Sequence, residues 1–163
     1  KRDGTAVVAA GGGKIAQVVS TQVSAVATTT TVLPRDDTIP QNTEGGEFMT
    51  LAVTPTNSSN KLLIYTVANL AHSVANAEVT VALFQDSDAA TIAAVTRRQS
   101  SRTNAMHPTT FTHTMTAGGT SEITFKIRAG GTTGSTCTFN GAGGVRAHGG
   151  FCASTMIIME ITV

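Results

Sequence analysis

Four histidines, His72, His107, His113 and His148, are the side chains of this sequence best suited to metal or proton chemistry, and they are scattered along it. No two stand at the close spacing with which one helix or strand holds a metal ion, so each reads as a polar strand or loop residue and no metal site is expected. A threefold axis could still gather copies of one histidine, and His113, on an alternating stretch, is the one placed for that. Asp36, Asp37, Asp86 and Asp88 offer the oxygen ligands that calcium takes, but they lie in two short turns and lack the glutamate that closes a calcium loop. Serine and threonine are abundant, yet none sits in a Gly-x-Ser-x-Gly setting and no His/Asp pair is placed to activate one. The sequence therefore offers no catalytic residue, calls for no cofactor and points away from an enzyme. A polysaccharide depolymerase would need an acidic pair or an activated nucleophile in a groove, and the few acids here sit in turns.

Gly141-Ala142-Gly143-Gly144 is as glycine-rich as a phosphate loop, but no helix-forming segment follows to present its N-terminus to an anion. Cys137 and Cys152 flank that loop. They are too few for a disulfide scaffold and do not form a paired-cysteine metal motif. A hairpin across the loop would bring the two thiols face to face, whereas a reducing compartment would leave them free and buried; both outcomes stay open. Basic donors cluster beside flexible backbone in two places, Arg97, Arg98, Arg102 and His107 in one loop and Arg146 and His148 in another. These six are the candidates for touching an anionic or glycan surface, set against the plainer reading of solvated loops. Aromatic residues make up 4%, with no Trp and a single Tyr65, so a stacked-sugar site is not expected.

Such loops have to hang on a scaffold, and its class follows from composition. The chain has 163 residues, 40% of them hydrophobic, which suits one domain with its own core. Charged residues are only 13%, while glycine occurs 16 times and threonine about thirty, so helix formers are scarce and strand and turn formers abundant. That is an all-β composition. A net charge of +1, from 11 basic and 10 acidic residues, supplies no field to hold nucleic acid or an anionic membrane. No apolar run approaches the ~20 residues of a membrane span, and no signal peptide is visible.

Residues 1–13, ending in Ala9-Ala10-Gly11-Gly12-Gly13, read as a flexible linker from an upstream attachment region, with 14–163 as the folded domain. Strand-like segments follow at 15–19, 21–33, 48–53, 61–70, 78–84, 91–96, 111–116, 123–128, 136–139 and 153–163, divided by Pro34, by the turn 54–60 and by glycine-rich stretches. Ile123, Phe125 and Ile127 alternate with Thr124, Lys126 and Arg128, the mark of a strand with one face in the core. Roughly ten strands at a spacing of about 8 to 15 residues, with no helix and no fixed repeat, describe an antiparallel β-sandwich of jelly-roll type.

Several segments in order carry a likeness: Gly13-Lys14-Ile15-Ala16-Gln17-Val18-Val19, Leu51-Ala52-Val53-Thr54-Pro55, and Ser58-Ser59-Asn60-Lys61-Leu62-Leu63-Ile64. Ala82-Leu83-Phe84, Thr124-Phe125-Lys126-Ile127-Arg128, Phe139-Asn140-Gly141 and Ser154-Thr155-Met156-Ile157-Ile158-Met159-Glu160-Ile161 continue it. Taken together they resemble the C-terminal head domains of tail fibre and capsid fibre proteins of tailed bacteriophages. The resemblance implies a virion structural protein, assembled in the host cytoplasm, with a jelly-roll head similar to the trimeric tumour-necrosis-factor-like folds. It implies as partners two further copies of the chain, other virion proteins through the N-terminus, and a host cell-surface glycan at the distal loops. The alternative within the same class is a capsid decoration protein that cements the head. Residues 97–108 depart from the pattern in being longer and more basic.

The terminal strand is apolar on both faces. Thr155, Ile157, Met159, Ile161 and Val163 alternate with Met156, Ile158, Glu160 and Thr162, and the face with the charge is expected to be the outer one. On that reading Met156 and Ile158, too apolar for open solvent, are the candidates for the trimer interface.

Overall fold

The computed structural model describes residues 13–163; the linker expected over residues 1–13 falls, apart from Gly13, outside the described residues. The described residues form twelve strands: β1 (Ile15–Val23), β2 (Ala27–Thr29), β3 (Gly46–Val53), β4 (Lys61–His72), β5 (Glu78–Gln85), β6 (Ala93–Arg98), β7 (His107–Thr116), β8 (Ile123–Gly131), β9 (Cys137–Phe139), β10 (Gly141–Ala142), β11 (Val145–Arg146) and β12 (Ser154–Ile161). All the pairings are antiparallel. Among the described residues the only helical turn is a single 3-10 turn at His148–Gly150.

Two sheets face each other. One runs β3-β8-β5-β6. In the other, the long strand β4 pairs with β7 along one edge, while its other edge is shared by β12 over residues 61–67 and β9 over residues 70–72. β1 and β2 repeat that division on the next row, pairing with β12 and β9 respectively. The second sheet is thus four rows, β1/β2, β12/β9, β4 and β7. Rows ordered first-last-third-sixth against second-seventh-fourth-fifth are the strand order of a jelly roll, as the strand count led one to expect.

Period-2 alternation puts the core between the sheets. Leu62, Ile64, Ala68 and Leu70 of β4 meet Val79, Val81 and Leu83 of β5 and Ile123, Phe125 and Ile127 of β8. Phe48 stacks on Phe139 with ring centroids 4.8 Å apart, closing the core at one end. β5 is buried on both faces because residues 30–45, between β2 and β3, cross the outside of its sheet as a strap. Leu33 packs there against Ala82 and Phe84 in a second, smaller apolar cluster. The strap is fixed by Leu33 N–H donating to the Gly131 carbonyl and by Arg35 pairing with Glu78 at 2.9 Å.

β12 faces the opposite way from the sequence expectation. Met156 and Ile158 are fully buried in the sandwich core of the single chain, so they do not form a subunit interface, and Ile157, Met159 and Ile161 are the half-exposed residues. The expectation used Glu160 as the marker of the outer face, but Glu160 is itself fully buried. Its Oε1 accepts from the Thr56 amide and hydroxyl (both 2.8 Å), from the Asn57 amide (3.3 Å) and from Asn60 Nδ2 (2.6 Å), and its Oε2 accepts from Gln17 Nε2 (2.6 Å). A carboxylate given that many donors is stable inside, which removes the argument from charge.

Candidate functional site

Strand direction sorts the connections to two ends. Turns 54–60, 86–92 and 117–122 share one end with the start of β1 and the finish of β12; connections 73–77, 99–106 and 140–153 share the other. β4, with 12 residues, sets the distance between the ends at about 35 to 40 Å. The two basic loops named from the sequence therefore meet at one tip. Contact between them is direct: the Cys152 thiol donates to the Met106 sulfur at 3.5 Å, and a Cβ on Gly143 would lie 3.4 Å from the Asn104 side chain.

The six candidate residues divide there into two kinds. Arg97 is not a surface contact residue. It lies at the end of β6, partly buried, with Nε donating to Thr109 Oγ1 (3.0 Å), Nη1 to Gln99 Oε1 (3.2 Å) and Nη2 to the Leu70 carbonyl (2.6 Å). All its hydrogen-bonding branches are committed, and burial pulls its pKa down, so Arg97 braces the base of the 99–106 loop. His107 opens β7 and is half-buried, its Nε2 enclosed without a partner, so it too is turned away from the surface. Arg98, Arg102, Arg146 and His148 are exposed, and their side chains make no hydrogen bond to the described residues.

Below these four the tip is tied down. Gln99, buried, donates from Nε2 to the carbonyls of His72 (3.2 Å) and Arg102 (3.3 Å). Asn140, at a positive φ of 55°, gives Nδ2 to the Val23 carbonyl (2.7 Å) and takes the Ser154 hydroxyl (2.7 Å), so one side chain joins β1, β12 and the start of the 140–153 loop. His72 is fully buried, and its Nδ1 accepts from the Val74 amide at 3.2 Å. Burial lowers its pKa and keeps it neutral. Gly131 packs so closely on that ring that an added Cβ would collide with Nε2. His113 occupies an inward position of β7, across from Ile64, and so does not present itself on the outer face of its sheet.

Both cysteines are free and buried, so the hairpin bridge is not made. Burial pushes the Cys137 thiol up to about 12, which leaves it protonated and unreactive.

Sequence reasoning missed Phe151. Positive φ at His148, Gly149 and Gly150 turns the chain outward, and the next residue, Phe151, is 92% exposed. Val145, 67% exposed, stands on the same loop. The signal available in the sequence was a phenylalanine directly after two glycines and just outside the alternation of β12. An aromatic ring is thus free at the tip after all, beside four uncommitted cationic or imidazole groups.

Fold and tip together define an all-β, antiparallel jelly roll that carries Arg98, Arg102, Arg146, His148 and one bare aromatic ring at one end. No family model matches the sequence, and no curated protein sequence matches it. Among solved structures the chain is similar to the sugar-binding C-terminal domain of EclA (13% identity, TM-score 0.38, covering 71% of this chain and 73% of that one). It is also similar to latent PorU from Porphyromonas gingivalis (8%, TM-score 0.39, 93% and 14%) and to the VP2 subviral particle of infectious bursal disease virus (12%, TM-score 0.35, 91% and 38%). The chain spans well under half the length of the last two.

Proposed function

We propose that this chain is a non-catalytic head domain of a viral fibre, in the manner of tailed-bacteriophage tail or capsid fibres, and that its tip adsorbs to the host cell surface. One observation carries the reading. The exposed Arg98, Arg102, Arg146, His148 and Phe151 lie at the end of the sandwich opposite the one where β1 enters. A domain mounted from its N-terminal side would hold those groups outward on a rigid frame. Cationic forks with an aromatic ring suit an anionic, glycan-bearing surface.

The same reading assigns self-association to the outer face of the β1-β12-β4-β7 sheet. Val18, Leu63, Tyr65, Val67, Ile157 and Met159 make it apolar, and the outer threonines of β7 border it without charge. Three copies closed about an axis would cover that surface. Capsid decoration is the competing role for such a trimer, because it uses the apolar faces and needs no tip.

One experiment separates the roles. Fluorescently labelled protein is incubated with a panel of bacterial strains and, in parallel, with phage heads stripped of decoration proteins. Adsorption to at least one strain, lost on the combined substitution Arg102→Ser, Arg146→Ser and Phe151→Ser, supports the fibre head. Binding to heads that is indifferent to those substitutions, with no cell adsorption, refutes it in favour of decoration.

A further inference from the structure

A half-open cavity of about 340 Å³ lies far from the tip, on the outside of the β3-β8-β5 sheet. Its floor is the outer face of that sheet: Lys126 and Arg128 from β8, and Phe84 from β5, directly across from Lys126. The strap contributes Asn42 on one wall, and the β5–β6 turn contributes Asp86 and Asp88 on another. The walls are held in place. Asn42 donates from its amide to the Ala89 carbonyl (2.7 Å) and from Nδ2 to the Asp88 carbonyl (3.1 Å), and Asp86 Oδ1 takes the Thr124 amide at 2.7 Å. A volume of that size falls in the range of small-molecule sites, and here it is built by two connections that clasp each other.

The charges select the occupant. Arg128 is spent on the framework, with Nε on the Glu44 carbonyl (2.8 Å), Nη2 on the Gly45 carbonyl (2.7 Å) and Nη1 3.5 Å from Glu47. Lys126 and Asp88 make no side-chain hydrogen bond to any described residue, and one oxygen of Asp86 is likewise free. The uncommitted set is thus two carboxylates and one ammonium. An anionic ligand would face Asp86 and Asp88, and a cationic one would face Lys126. A bare metal ion is poorly served, because no three acidic, histidine or cysteine side chains converge among the described residues. A neutral molecule with several hydroxyl groups satisfies all of them: hydroxyl hydrogens go to the carboxylates and hydroxyl oxygens take the ammonium, while Phe84, buried beneath the strap, only backs the floor.

We infer that the cavity between the strap and the β5–β6 turn, bounded by Phe84, Asp86, Asp88 and Lys126, binds an uncharged saccharide unit. This site is independent of the tip and stands or falls without it.

Saturation-transfer NMR on the purified protein tests it, with the methyl glycosides of glucose, galactose, mannose and N-acetylglucosamine as neutral probes. Glucuronate, glucosamine and calcium chloride serve as charged ones, calcium being followed by amide shifts. At least one neutral glycoside is expected to bind, competing with none of the charged probes. Asp88→Asn and Lys126→Met should each weaken it about tenfold, the loss of one charge-assisted hydrogen bond, with thermal unfolding unchanged. Arg102→Ser at the tip should leave it intact. Saturation by charged probes alone, no binding of any neutral glycoside, or affinity unaltered in both cavity variants would overturn the assignment.

Discussion

Replacing Glu160 by glutamine tests the buried carboxylate that closes the end of the sandwich opposite the tip. Burial by itself would push this carboxyl up; the hydrogen bonds from Gln17, Asn60 and Thr56 outweigh that and bring it down from 4.5 to about 2. At about 1.4 kcal/mol per pKa unit, the shift corresponds to about 3 kcal/mol of stability at neutral pH, and nearby solvent at the sheet end trims this to about 2 kcal/mol. A folded-state pKa below the unfolded one means that the contribution is complete above the unfolded value near 4.5 and is lost as pH falls through 2. Glutamine keeps one acceptor oxygen but turns an amide toward Gln17 Nε2, donor against donor. Gln17 could relieve this only by giving up its 2.7 Å bond to the Thr54 carbonyl. Urea unfolding at pH 7, 4 and 2.5 reads the difference directly. Glu160→Gln should be about 2 kcal/mol less stable than the parent at pH 7, with the gap narrowing to about 0.5 kcal/mol at pH 2.5. A gap that stays constant over that range would refute the claim that ionisation of Glu160 contributes to stability.

The remaining predictions concern the sheets and the base of the tip. Ile158→Asp, in the core, should give insoluble protein, whereas Ile157→Asp, on the outer face, should stay soluble and β-rich by circular dichroism and run as a monomer in light scattering. Thr66 is fully buried with its hydroxyl unpartnered, so Thr66→Val should raise stability by about 1 kcal/mol in a urea titration. Arg97→Ser should cost about 2 kcal/mol, since it strips donors from the Leu70 carbonyl and Thr109, while Arg102→Ser should unfold within about 0.5 kcal/mol of the parent. A reducing agent should leave the melting temperature unchanged, and a thiol reagent should label Cys137 only on unfolding.

What could be read from the residues was whatever alternates. Strand positions for β3, β4, β5 and β8 follow from hydrophobic periods that tertiary contacts then reinforce, and the jelly-roll class follows from their number and spacing. The facing of β12 could not be read, because both of its faces are apolar and the deciding residue, Glu160, has donors from Gln17, Thr56 and Asn60, a hundred or more positions away. A charge marks the outside only when nothing inside can solvate it. Arg97 misled for the same reason: it sits at the edge of a polar loop in sequence, but in space it faces the Leu70 carbonyl and Thr109. Phe151 escaped because its exposure depends on positive φ at His148, Gly149 and Gly150, which the two glycines permit but do not compel and which nothing in the sequence announces at His148.

The two ends of the sandwich are built on opposite lines, and that contrast explains how one small domain can be firm and adaptable at once. At the Glu160 end a single buried carboxylate gathers donors from β1 and from the turn 54–60, so any change there is felt by several segments. At the tip, the backbone is held from beneath by Arg97, Gln99 and Asn140, while the side chains of Arg102, Arg146, His148 and Phe151 on the crest lend nothing to the frame. Side chains on the crest are therefore free to change without cost to folding, and those just below it are not. With the ends about 35 to 40 Å apart, substitutions at Arg102 and Glu160 share no partner, and their effects on stability should add. A measured coupling between them would mean that the tip is mechanically continuous with the Glu160 end, and a crest so coupled could not vary independently of the fold that carries it.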